Sequence, residues 1–276
     1  MIQDALNLAC QAWFGMFTLV GLIINWAGCV AISTFGGPIA AQQDRCSQLT
    51  HYMFKWFLVK PCPWIRISTP LADESARLLD RERVCVLMNH TSFFDSVLFV
   101  AATPPGIIGR YKTLMKAALF DIPFLGGICR MVGHYPVFFQ SKDENSFAVD
   151  KQQQAAIMEK VRAHVEANGS LCVFPEGKIN RNPAVLCPFR RGSFAIVEEM
   201  NMAVVTMTTV GNNDTWPRDY QIGGLPARVT MKLSEVAKAG HGLTSAAIKE
   251  KAEVVMQADL TYLLQQQRNG SNPKES

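Results

Sequence analysis

Charge is scarce in this sequence. Asp, Glu, Lys and Arg make up 18% of its 276 residues, below the roughly 25% of an ordinary globular chain. A disordered or acidic scaffold needs many charges and few apolar groups, whereas 49% of this chain is hydrophobic. A polytopic transporter is excluded too, because the mean hydropathy is only +0.08. The shortage of charge is local: no charged residue lies between Asp4 and Asp44. The eight cysteines contain no Cys-x-x-Cys, which argues against a zinc site or a small disulfide scaffold and for reduced thiols. Gly223-Gly224 has no Gly-x-Gly-x-x-Gly around it and reads as a turn. No basic–aromatic motif suggests a nucleic-acid partner. The net charge of +4 is mild and suits an anionic surface.

Residues 12–35 are almost wholly apolar, with Trp13 and Trp26 of the kind that sits near membrane interfaces. The run is long enough to cross a bilayer as a helix, and Gly36-Gly37-Pro38 ends it. Asp4 and the absence of an early Lys or Arg disfavour a cleavable leader. Over 46–60, Leu49, Tyr52, Met53, Trp56, Phe57 and Leu58 recur at helical spacing beside Lys55 and Lys60, the pattern of a surface-lying amphipathic helix. Residues 1–60 are therefore expected to form a membrane-anchoring helical hairpin. Arg45, Lys55 and Lys60 follow the apolar run, which places the main body on the cytosolic face; in a eukaryotic cell the expected membrane is that of the endoplasmic reticulum.

From residue 61 the pattern becomes alternating. Strands are expected at 64–67, 84–88, 106–110, 135–139, 171–174, 203–210 and 228–233. Helices are expected at 94–102, 114–120, 145–167, 192–200 and 244–265. Alternation of this kind predicts an α/β body over 61–268 with a mostly parallel central sheet flanked by helices. Residues 269–276 read as a frayed polar tail.

Two sites stand at strand ends. The run Val84–Met88 leads into Asn89-His90-Thr91-Ser92-Phe93-Phe94-Asp95-Ser96. An imidazole is readily made a base near neutral pH, and a carboxylate on its other nitrogen fixes the tautomer. A strand-to-helix turn could fold Asp95 back onto His90. The run Leu171–Phe174 leads into Pro175-Glu176-Gly177-Lys178-Ile179-Asn180-Arg181, placing a carboxylate between Pro and Gly. In open α/β sheets ligands bind at the carboxyl ends of strands. Ser92 and Ser96 lie close by but sit on no Gly-x-Ser-x-Gly elbow. His51, His134, His164 and His241 have no acidic partner at a telling spacing, and His164 reads as part of a solvated helix face with Lys160 and Glu166.

Asn-His-x-Ser-x-x-Asp followed by Phe-Pro-Glu-Gly resembles the lysophosphatidic acid acyltransferase family of glycerolipid synthesis. The likeness extends through Lys116–Gly126, Gly133 and Phe189-Arg190-Arg191-Gly192-Ser193-Phe194, and covers residues 46 to 235. The sequence departs from the family pattern in three places. Phe139 stands where an Arg is usual, Lys178-Ile179 where Thr-Arg is usual, and Thr206 where a proline is usual. The stretch Phe-Pro-Glu-Gly-Lys is also similar to tafazzin-type transacylases.

The resemblance implies acyl-CoA-dependent transfer to the sn-2 hydroxyl of lysophosphatidic acid, giving phosphatidic acid. Another lysophospholipid acyltransferase or a tafazzin-like transacylase is the alternative. His90 would be the general base and Asp95 its partner, with Glu176 and Gly177 contacting substrate. Phosphate-binding candidates are Arg181 first, then Lys116, Lys178, Arg190 and Arg191. They fall in two basic stretches: Arg110, Lys112, Lys116, Arg130 and Lys142 against Asp121, and Lys178, Arg181, Arg190 and Arg191 against Glu176. Arginine suits phosphate through its two-pronged geometry. Acyl-CoA is a co-substrate, no cofactor or metal is implied, the partners are bilayer and lipid, and the oligomeric state stays open.

Overall fold

Strand β2 (Val84–Met88) is buried along its whole length, as a strand must be when helices cover both faces of a parallel sheet. It is the centre of a seven-stranded sheet in the computed structural model, which describes residues 2–68, 77–140 and 148–271. The other strands are β1 (Ile65–Ser68), β3 (Tyr111–Lys116), β4 (Tyr135–Val137), β5 (Ser170–Val173), β6 (Ala203–Val210) and β7 (Ala227–Ala237). Their order is β1-β7-β6-β2-β5-β3-β4. Every pair is parallel except β6 with β7. β5 and β6, like β2, are continuous buried apolar runs with few polar breaks. Because β6, β2 and β5 are adjacent and parallel, their carboxyl ends share one edge.

The flanking helices follow local signals. In α6 (Lys151–Glu166), the side chain of Asp150 accepts from the amides of Gln152 and Gln153 and fixes the start. The last helix, α9 (Ser245–Ser271), buries Ile248, Ala252, Met256 and Leu260, one every four residues. It continues past residue 268 into the expected tail; residues 272–276 lie outside the described set. So does the 145–147 start of the helix expected at 145–167.

The region 104–133 differs from expectation. Where a strand was expected at 106–110, Pro104-Pro105 opens the short helix α4 (Pro105–Ile108), since proline is pre-set for a first helical turn. Strand β3 then takes Tyr111–Lys116 and a 3₁₀ turn takes Ala117–Asp121, where a helix was expected at 114–120. The lysines of β3 disguise it. Lys112 is buried in the sheet and donates to the carbonyl of Val132, and burial lowers its pKa to about 8. Helix α5 (Leu125–Val132) was not expected at all, because Gly126-Gly127 weakens the helical signal. His164 also departs from the solvated reading: it is half-buried, and its Nε2 lies 2.9 Å from the Arg110 carbonyl.

The N-terminal hairpin has an inverted polarity. Helix α1 (Ile2–Phe35) buries Cys10, Phe14, Gly21, Asn25 and Cys29. It exposes Leu8, Trp13, Met16, Leu19, Val20, Ile23, Ile24 and Val30. Helix α2 (Ile39–Met53) runs on into a π-helical stretch, Phe54–Val59, and packs against the small residues of α1. Leu49 sits against Gly28, Phe57 against Gly21, and Asn25 Nδ2 donates to Thr50 Oγ1 at 3.2 Å. Small residues let backbones approach and a buried amide finds a partner across the interface, which is the packing logic of helices in lipid. By length and composition α1 could cross a membrane.

Candidate active site

The peptide leaving β2 turns sharply because Asp95, at the start of α3 (Phe94–Ala102), gathers the amides ahead of it. Its Oδ2 accepts from Thr91 N at 2.7 Å, from Ser92 N at 2.9 Å and from His90 Nδ1 at 2.9 Å. A carboxylate only accepts, so Nδ1 carries the hydrogen and Nε2 is the ring nitrogen left to take a proton. Asp95 is fully buried, while the His90 side chain keeps 18% of its surface. The ring stacks on Phe174, with centroids 4.3 Å apart. Sequence spacing and structure agree on this pair.

Glu176 arrives from the neighbouring strand end and turns toward the His90 backbone. It is fully buried. Its Oε1 accepts from the backbone N–H of His90 at 2.8 Å, and its Oε2 accepts from Asn180 Nδ2 and Cys187 N, each at 2.9 Å. Asn180 N in turn donates to the His90 carbonyl at 2.6 Å. These three bonds hold the His90 peptide and Glu176's own loop. Burial pushes its pKa up, against the pull of the His90 and Cys187 donors. Gly177 has φ of +71° and donates to Phe174 O at 3.0 Å, so a turn that L side chains resist accounts for it.

Ser92 is likewise committed. Its hydroxyl donates to Trp216 O at 2.7 Å and accepts from Phe94 N at 3.0 Å, fully buried. The hydroxyl is thus held away from His90 by the Trp216 carbonyl that it donates to.

The cations divide. Lys178 is half-buried and Arg181 is exposed, on either side of Ile179-Asn180 beside His90. Arg190 is exposed, and its amide ties to Pro175 O at 2.8 Å. Arg191 is exposed at the start of α7 (Gly192–Glu199). Lys116 is exposed at the end of β3, two strands from β2. Lys112 leaves the set because it is buried, Arg130 pairs with Asp121 at 3.7 Å, and Lys142 lies outside the described residues.

Two residues were missed. Arg218 donates Nη1 to the Ile179 carbonyl at 3.1 Å. Asn212 donates Nδ2 to Asp95 Oδ1 at 2.5 Å. Asn212 opens the short helix α8 (Asn212–Thr215) and Arg218 follows it, both in the connection from β6 to β7. The cue was that β6 ends beside β2, but strand order is not written in sequence.

Comparison with known proteins agrees with this layout. The acyltransferase family model matches residues 72–210, both loops included. A 1-acyl-sn-glycerol-3-phosphate acyltransferase of Cocos nucifera is 27% identical over 61% of this chain and 50% of its own length. A chloroplastic one of Brassica napus, BAT2, is 27% identical over 68% of this chain and 50% of its own length. The chain thus spans about half the length of these curated relatives. The crystal structure of the 1-acyl-sn-glycerophosphate acyltransferase PlsC from Thermotoga maritima superposes with a TM-score of 0.70 at 18% identity. That match covers 95% of this chain and 97% of the other, which shows a shared fold. With half its residues matched by the family model, both strand-end loops among them, the chain belongs to the acyltransferase family.

Proposed function

We propose that the protein transfers a fatty acyl group from acyl-CoA to the sn-2 hydroxyl of lysophosphatidic acid. The observation that carries the reading is the His90–Asp95 pair, held at 2.9 Å at the mouth of the sheet. His90 Nε2 takes the proton of the acceptor hydroxyl while its oxygen attacks the thioester carbonyl. Asp95 stabilises the imidazolium, which then protonates the departing thiolate. The hydroxyl itself is the nucleophile, so no acyl-enzyme forms. The amides of Thr91 and Ser92 are spent on Asp95, so the oxyanion draws on other donors. Lys178, Arg181 and Arg218, grouped around Ile179, receive the phosphate. Arg218→Ala then raises KM for the acceptor and leaves kcat nearly unchanged.

The outer face of α1 rests in lipid, which brings the pair to the surface where both substrates reside. Phe14 packs edge-on against Trp216 at 5.6 Å, and Cys29 near the other end packs with Cys46 and Ile128. The helix thus hugs the body along its length, and one face remains for the bilayer. Arg45, Lys55 and Lys60 favour the cytosolic side.

The test is release of free CoA by the purified full chain, with lysophosphatidic acid, lysophosphatidylcholine and lysocardiolipin as acceptors. Turnover with lysophosphatidic acid, lost in His90→Ala, is the expected result. A second reading is favoured by a Drosophila melanogaster lysophosphatidylcholine acyltransferase, 30% identical over 40% of this chain. Activity with lysophosphatidylcholine alone would establish it instead.

A further inference from the structure

We infer that Asn212 is a positioning residue for the His90–Asp95 pair, the donor that fixes the far oxygen of Asp95. The inference rests on the proposed reading of that pair as the acid–base machinery. Asp95 is fully buried and has two oxygens to satisfy. Three donors crowd Oδ2, and among the described residues the hydrogen bond recorded at Oδ1 comes from Asn212 Nδ2, at 2.5 Å. Deleting that donor would leave a charged oxygen buried without one.

The direction of the Asn212 amide follows from chemistry. A carboxylate accepts only, so the side facing it is the NH₂. The same nitrogen donates to Thr209 Oγ1 at 3.1 Å. That hydroxyl donates onward to Asn89 Oδ1 at 3.2 Å, while Asn89 Nδ2 donates to Thr209 O at 2.9 Å. The amide is therefore gripped by the ends of the two neighbouring strands, β2 and β6, which also carry the pair.

Two features say that the donor end is what matters. Asn212 Oδ1 is buried with no hydrogen-bond partner among the described residues; a side chain kept for its shape alone would not strand an acceptor. Gly211, just before it, has φ of +93°, and a Cβ there would lie 2.1 Å from the Arg228 carbonyl. Only glycine makes this turn, and the turn is what carries Asn212 off β6 to Asp95. With Oδ1 occupied by an N–H, no proton fits there. Oδ2 stays on Nδ1, and Nε2 stays the ring nitrogen open to a proton.

The experiment measures kcat and KM across pH for the full chain, using the acceptor it turns over best, in Asn212→Ala, Asn212→Asp and His90→Ala. Asn212→Ala is expected to lower kcat about 10- to 100-fold, the size of one hydrogen bond to a charged group, with KM within about twofold. In Asn212→Asp the introduced carboxyl donates to Asp95 while protonated and repels it once ionised. Turnover should be near that of the parent at the acid end and fall as pH rises, along a limb the parent lacks. A merely structural side chain would scale kcat equally at every pH. A kcat within about twofold of the parent in Asn212→Ala, or a parallel pH profile in Asn212→Asp, overturns the inference. The isosteric Asn212→Asp decides it if the alanine variant does not fold. Full turnover in His90→Ala overturns the pair and this inference with it. An inactive His90→Ala beside unaffected Asn212 variants overturns this inference alone.

Discussion

Asp95 and Glu176 stand at the ends of neighbouring parts of the same sheet edge. Both are fully buried, both accept several N–H bonds, and both reach His90. They reach different parts of it. Asp95 takes the ring N–H; Glu176 takes the backbone N–H of the same residue. A bond to the ring changes energy when the ring gains a proton, so it can act in the reaction. A bond to the backbone N–H is the same before and after, so it can only hold geometry. Burial and donor count do not separate a reacting carboxylate from a bracing one; the identity of the donor does.

The sharpest way to break that distinction is Asp95→Asn. The amide that replaces the carboxylate has one accepting oxygen, so it cannot serve the donors on both sides at once, and it carries no charge to stabilise an imidazolium. We expect kcat to fall by about 10²- to 10⁴-fold, the range of a lost acid–base contribution. The fold should persist by circular dichroism. A loss below about tenfold would move Asp95 into the bracing class.

Glu176→Gln should give a different signature. The glutamine oxygen can still take the His90 N–H, but its NH₂ then faces the donors of Asn180 and Cys187. Each stranded donor costs about 1–3 kcal/mol, visible as a lower melting temperature, while kcat falls only about tenfold because the ring contact survives. Stability should also change its dependence on pH. Burial raises the Glu176 pKa above 4.5, so between 4.5 and the raised value the folded chain holds more protons than the unfolded one. Parent stability therefore falls as pH rises through that window, and Glu176→Gln should remove that fall. Urea melts at several pH values measure it.

What the sequence made legible follows the same division. The strands β2, β5 and β6 are largely apolar runs, and the His90–Asp95 pair lies within one short loop, so both could be read directly. Glu176 could be found but its role could not. Two of its three donors are backbone amides, which every residue has, and they come from His90 and Cys187 on separate loops. Asn212 and Arg218 were out of reach because they meet the site only through the order in which strands pair. Residues 106–116 were misread for a local reason: prolines began a helix where apolar residues suggested a strand, and lysines masked the strand that followed. In α1 the apolar run was plain, but the polar and small residues proved to face inward. Hydrophobicity alone does not tell which face of an apolar helix meets the protein.

The mildest test uses Phe174, which belongs to the Glu176 loop yet stacks on the ring that Asp95 serves. It is the place where the bracing loop touches the reacting part. Phe174→Leu keeps an apolar side chain but removes the flat surface against the imidazole. An aromatic contact of this kind contributes about 0.5–1.5 kcal/mol, so kcat should fall by about 2- to 10-fold. Because no buried polar group loses its partner, the melting temperature should move far less than in Glu176→Gln. Turnover reduced at near-parent stability would show that the loop steers the ring directly as well as through its backbone. A loss of stability as large as that in Glu176→Gln would mean that Phe174 only fills space, and that the whole loop acts by bracing.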